Sequence, residues 1–170
     1  MNSLRILTLW QPWASLVALG YKQYETRSWN GWYGGDILIH AAKRKINPLE
    51  FEAACQLLSE VDRSTILQHA NATLGCVVAI AQVNDCVRMV AADQVSDWEI
   101  RINEVSALER SVGIWEEDRY AWPFENVREL PSPIPFKGAQ GLRKSPPQLS
   151  TLVKQQLVQV GLVGGRNEAS

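Results

Sequence analysis

The chain has 170 residues, 46% of them hydrophobic, and a formal net charge of −1, which is enough apolar material for one core and predicts one globular unit. No run approaches the roughly 18 apolar residues of a membrane span, and the start MNSLRILTLWQPW lacks a basic leader, an apolar stretch and a cleavage site, so a cytoplasmic protein with no membrane partner is expected. The near-neutral charge argues against coating nucleic acid by bulk attraction. Cys55, Cys76 and Cys86 at wide spacings, with two distant histidines, predict no disulfide framework, no metal site and no cofactor, and the cysteines read as small buried hydrophobes.

In chain order, an opening strand is expected at Arg5 to Trp10, followed by a helix over Pro12 to Leu19, with Trp13, Leu16 and Val17 at helical spacing and Gly20 as a left-handed cap. Tyr21 to Ser28 alternates in side-chain character, Trp29 to Gly35 is a turn rich in Gly and Trp, and Asp36 to Ala41 reads as a buried strand. Asn47 before Pro48, with Phe51, Ala54, Cys55, Leu57 and Leu58 at helical period, predicts one capped amphipathic helix over Asn47 to Val61. Leu74 to Val83 is apolar on both faces, as a central strand requires.

From Asp93 to Asp118 eight acids stand against Arg101 and Arg110, a local charge of −6 that leaves +5 for the remaining residues. Two readings stand: a solvated acidic insertion without a role, or an arm that keeps the protein soluble and leaves a positive face elsewhere. Arg119 to Val127 reads as a strand with Pro123 at an edge or bulge, Ile134 to Lys137 as a short strand, and Pro147 to Val160 as a closing helix with Leu149, Leu152, Val153, Leu157 and Val160 on one face. Strands with scattered helices predict α+β organisation around a small barrel.

Three blocks resemble the ASCH family, the domain named for activating-signal-cointegrator homology: Leu9-Trp10-Gln11-Pro12-Trp13-Ala14-Ser15-Leu16, Gly20-Tyr21-Lys22-Gln23-Tyr24-Glu25-Thr26-Arg27-Ser28-Trp29, and Gly35-Asp36-Ile37-Leu38-Ile39-His40-Ala41-Ala42-Lys43. Downstream, Gly75-Cys76-Val77-Val78-Ala79, Arg119-Tyr120-Ala121-Trp122 and Lys137-Gly138-Ala139-Gln140-Gly141-Leu142 are similar to the family's later strands, in family order. The resemblance implies a PUA-like small β-barrel with peripheral helices over residues 1–145, a helix and short tail over 146–170, a cleft beside the first helix, and an association with RNA or other nucleic acid. Some relatives are amidohydrolases acting on acylated cytidine through a lysine, a threonine and a distant carboxylate. Lys22 matches that lysine, but Glu25 occupies the threonine position and Thr26 is one place out of register. Pro123 and Arg143 also depart from the residues common in the family.

A nucleobase pocket needs a flat surface to stack on, groups that pair with base edges, and cations for phosphate. The candidates for binding nucleic acid or a modified nucleoside are Gln11, Trp13, Lys22, Glu25, Arg27, Ser28, Trp29, His40, Lys43, Lys137 and Gln140. Arg44 and Lys45 are further cations, whereas Trp10 and Trp32 read as core or barrel plugs and His69 carries no signal. Were the protein a hydrolase, deacylating a modified base or cleaving RNA, Lys22 and Glu25 would be the catalytic pair. In a regular strand Glu25 and Arg27 share a face and Lys22 points away, so a common site requires a turn or bulge after Gly20.

Overall fold

The computed structural model describes residues 4–31, 34–91 and 95–161. Trp32, the start of the acidic arm at Asp93 and the end of the tail lie outside the described residues. The expected opening order holds: β1 (Arg5–Leu9), α1 (Trp13–Ala18), β2 (Tyr24–Arg27) and β3 (Gly35–Ala41). β1 and β3 run parallel in register from Arg5 opposite Ile37 to Leu9 opposite Ala41. β4 (Cys76–Val83) is an interior strand, antiparallel to β3. With β8 (Glu125–Pro135) and β9 (Leu142–Lys144) it completes a five-stranded sheet of order β8-β4-β3-β1-β9.

A second sheet has the order β2-β7-β5-β6, with β5 (Val87–Val90), β6 (Glu99–Arg101) and β7 (Tyr120–Pro123). The architecture is therefore mixed α+β with two sheets. The expected single closed barrel is not formed by the strand pairings among the described residues. The chain passes between the sheets at Phe124, whose amide donates to the Gln23 carbonyl at 2.8 Å, so the strand expected over Arg119 to Val127 is divided into β7 and β8. Pro123 closes β7 at this crossing, where its missing donor breaks no further ladder bond. The short strand expected at Ile134 is the far end of β8, an edge strand that tolerates Pro131 and Pro133.

Period-two alternation sorts the core. Leu7, Leu9, Ile37 and Ile39 meet Val17, Trp122 and Phe124 on one face, while Ile6 and Leu38 meet Leu149, Val153 and Leu157 on the other. The latter three belong to the closing helix α5 (Pro147–Gln159); Leu152 and Val160, expected on the same stripe, are exposed. The helix expected over Asn47 to Val61 is two helices, α2 (Pro48–Cys55) and α3 (Glu60–Ala72). Asn47 caps the first, accepting from the amides of Leu49 and Glu50. Ser59 starts the second by accepting from the Asp62 amide at 3.1 Å, and Leu57 and Val61 are left exposed.

The acidic arm is also folded. It holds β6, a 3-10 turn (Ile102–Glu104) and α4 (Ala107–Val112), and Val105, Glu109 and Val112 are buried. The described part of the arm is thus anchored in the fold at these positions, while Asp97, Glu104, Glu116, Glu117 and Asp118 are exposed, as a solvated acidic insertion would have them. Cys55 is buried and Cys76 and Cys86 are half-buried, all as free thiols. No helix among the described residues is long and apolar enough to cross a membrane.

Candidate functional site

A cleft of about 1480 Å³ opens at the carboxyl ends of the parallel pair β1 and β3, walled by β2, by the end of α4 and its following loop, and by the β8–β9 loop. The turn after α1 delivers the first functional side chain. Gly20, at φ +82°, donates to the Val17 carbonyl while the Tyr21 and Lys22 amides both reach the Leu16 carbonyl, at 2.8 and 3.0 Å. This Schellman-type ending satisfies the last helical carbonyls and reverses the chain. Lys22 then precedes β2 instead of lying in it, so it reaches the same cleft as Glu25 and Arg27, as the requirement for a turn foresaw.

Lys22 is only 2% exposed, and its Nζ donates to the Val112 carbonyl at 3.0 Å. Burial pushes its pKa below the ordinary lysine value; the carboxylates of Glu25 and Glu109 oppose that shift and Arg27 adds to it. Glu25 pairs with Arg27 at 2.8 Å. Glu109, from α4, accepts from the Gln23 amide and is raised above the ordinary glutamate value, chiefly by burial. The Val112 carbonyl also accepts from the Trp13 indole at 3.0 Å, so one backbone oxygen fixes both a cation and an aromatic wall.

The remaining expected residues divide. Trp13, His40, Lys43, Lys137 and Gln140 line the cleft with Lys22, Glu25 and Arg27. Gln11 does not: it is buried, its carbonyl oxygen accepting from the Ser15 amide and hydroxyl at 3.1 and 2.9 Å and its amide donating to Thr73 Oγ1 at 2.9 Å. Ser28 and Trp29 also lie off the cleft, Trp29 packing edge-on against Trp122 at 4.8 Å. His40 is buried, with Nε2 2.9 Å from the Phe136 carbonyl.

Several residues of the site were not foreseen. Trp10, read as core, is 54% exposed and lines the cleft, with the Arg44 guanidinium 4.0 Å from its ring centre. Alternation gave no signal for this, because it places Trp10 with Ile6, which is buried in the second core cluster, and Trp10 lies just past the end of β1. The wall from Ser111 to Ile114, including the Ile114 amide that donates to Thr26 Oγ1 at 2.9 Å, comes from the acidic arm and had no local signal. His69 also has a place, with Nδ1 2.7 Å from Ser15 Oγ and Nε2 3.2 Å from Glu129, and it ties α3 to α1 and β8. No cluster of metal-ligating side chains occurs among the described residues.

The family model described as the ASCH domain matches residues 7–134. No curated protein matches the chain. Similar solved structures include the ASCH protein from Zymomonas mobilis, at 15% identity and a TM-score of 0.49, covering 94% of this chain and 96% of that one. A tyrosine-to-phenylalanine variant of the Zymomonas mobilis protein matches at 14% identity and a TM-score of 0.48, covering 93% of this chain and 98% of that one.

Proposed function

The chain belongs to the ASCH domain family, and on that premise we propose that its cleft recognises RNA, or a modified nucleoside, by stacking bases and holding phosphate. The observation that carries this reading is the composition of the cleft wall: Lys22, Arg27, Lys43 and Lys137 against one carboxylate, Glu25, beside the rings of Trp10, Trp13 and Phe136. A protein of net charge −1 has concentrated cations where aromatic surface is exposed, which is the pairing that single-stranded nucleic acid requires. The volume exceeds the roughly 300 to 1,000 Å³ of a small-molecule pocket, so more than one nucleotide fits. The family's association with RNA agrees with this reading. Lys22 spends one of its three N–H groups on Val112, which leaves two for a phosphate or base carbonyl.

A hydrolytic reading is favoured by one observation, the lowered pKa of Lys22 beside Glu25, since a lysine base needs such a shift. Against it, Glu25 stands where related amidohydrolases have threonine. Purified protein incubated with a short RNA and with N4-acetylcytidine, followed by chromatography and a binding titration, separates the two. Binding without product is expected, with Lys22→Ala weakening RNA affinity by about 1 to 3 kcal/mol, the range for a hydrogen bond to a charged group. Product that forms with the wild type and disappears in both Lys22→Met and Glu25→Gln would overturn the binding reading.

A further inference from the structure

Trp10 stands at the junction of β1 and α1, where backbone bonds fix the chain on either side of it. The Ala42 amide donates to the Leu9 carbonyl at 2.8 Å, and the Ala14 amide to the Trp10 carbonyl at 3.1 Å. The fold sets where the indole starts but leaves its ring uncovered: Trp10 is exposed, while the cleft rings of Trp13 and Phe136 are half-buried. An exposed indole by itself is ordinary surface, but this one is backed by a built support. The Arg44 guanidinium lies 4.0 Å from the ring centre, and both of its terminal nitrogens donate to Glu50, at 2.9 and 3.0 Å.

Glu50, in the first turn of α2, thus holds a planar cation against the indole. Trp10 lines the cleft, whereas Arg44 and Glu50 do not, so the pair backs the ring from the side away from the cavity. A guanidinium whose fork is filled by one carboxylate has its charge matched and its geometry fixed, which suits it to steady a ring and not to meet a phosphate. Its neighbour Lys43 does line the cleft. Ordering these side chains costs conformational entropy. In return the ring is oriented before a ligand arrives, which lowers the cost of binding.

We propose that Trp10 is the platform on which an unpaired base of a single-stranded RNA stacks, and that Arg44 and Glu50 are positioning residues that hold the indole for it. The inference rests on the nucleic-acid reading above and narrows the ligand to single strands. In a duplex the faces of each base are covered by its neighbours, so a stacking platform finds none to take. All four bases have a π-face, so the platform adds affinity without a fixed sequence.

The experiment measures the affinity of a short oligoadenylate, of an abasic strand of equal length, and of the duplex of the oligoadenylate with oligouridylate. Wild-type protein binds the intact strand at least about fivefold more tightly than the abasic one, the lower end of the range for one base–aromatic stack. It also prefers the intact strand to the duplex, although the duplex carries the denser phosphate charge. Trp10→Ala reduces the preference for the intact over the abasic strand, and Trp10→Tyr, which keeps a π-face, restores it. Glu50→Gln separates the two roles open to Arg44 by sign. A guanidinium that positions the ring loses its tether and binding of the intact strand weakens, whereas one released to meet phosphate tightens it. Preference for the duplex, equal affinity for intact and abasic strands, an undiminished preference in Trp10→Ala, or unchanged or tighter binding in Glu50→Gln would each contradict this inference. The cleft reading then stands if Lys22→Ala still weakens binding and falls if it does not. Wild-type protein that binds none of the three would overturn both.

Discussion

Lys22 is held at the cleft floor against a desolvation cost that Glu25 and Glu109 only partly offset. Its depressed pKa means that its titration contributes stability above the ordinary lysine range and that the contribution is lost as pH falls through the folded value. Glu109 has the opposite sign: with a raised pKa, its contribution is full below the ordinary carboxylate value and is lost as pH rises through the elevated one. Glu109→Gln keeps an oxygen for the Gln23 amide but removes a charge that sustains the Lys22 proton. The side-chain nitrogen resonance of Lys22 is then expected to titrate lower than in wild type; an unchanged midpoint would show that Glu109 is not part of the site's electrostatics. The convergence of Lys22, Glu25 and Arg27 was legible only as a condition, a turn or bulge after Gly20, because in a regular strand their spacing would send Lys22 to the other face. Gln11 was misread because an amide that could pair with a base serves equally well as a bridge between Ser15 and Thr73. Glu109 was invisible, since nothing local connects residue 109 to residue 22.

The short helix α1 and its ending set the cleft geometry. A Cβ added at Gly20 meets no atom within 4 Å, so substitution there isolates the backbone cost of φ +82°. Gly20→Ala is expected to lower stability by about 1 kcal/mol, read as a fall in denaturant midpoint at constant slope; an unchanged midpoint would contradict the role of this turn. Strands with clean alternation, β1 and β3, were readable because each face packs on a different core cluster. The α2–α3 boundary was not, because Leu57 and Leu58 extend an apolar stripe that the fold does not bury as one face. α3 itself buries only Ile66 and Ala70, and its start is marked by Ser59 and Asp62, a cap that only a search for capping pairs detects. The division of the strands between two sheets depends on long-range pairing, which composition and periodicity do not encode.

At the scale of the molecule, the charge pattern separates into an acidic arm and a basic cleft. Asp118 is paired with Arg88, Glu104 with Arg101, and Glu117 accepts from the Ala91 amide, while the arm sends the uncharged segment Ser111 to Ile114 to the cleft wall. The arm therefore builds one side of the site without introducing a carboxylate from Glu116, Glu117 or Asp118 among the lining residues. Lys43 and Lys137 are left exposed at the rim, where phosphate would meet them. The most direct test of the central claim is the salt dependence of RNA affinity for wild type and for the Lys43→Ala, Lys137→Ala double variant. Single-strand binding should weaken with salt, and removing two phosphate contacts should reduce the slope of log affinity on log salt concentration by roughly 1.4. A slope unchanged by the double substitution would place the RNA elsewhere on the protein and contradict the account.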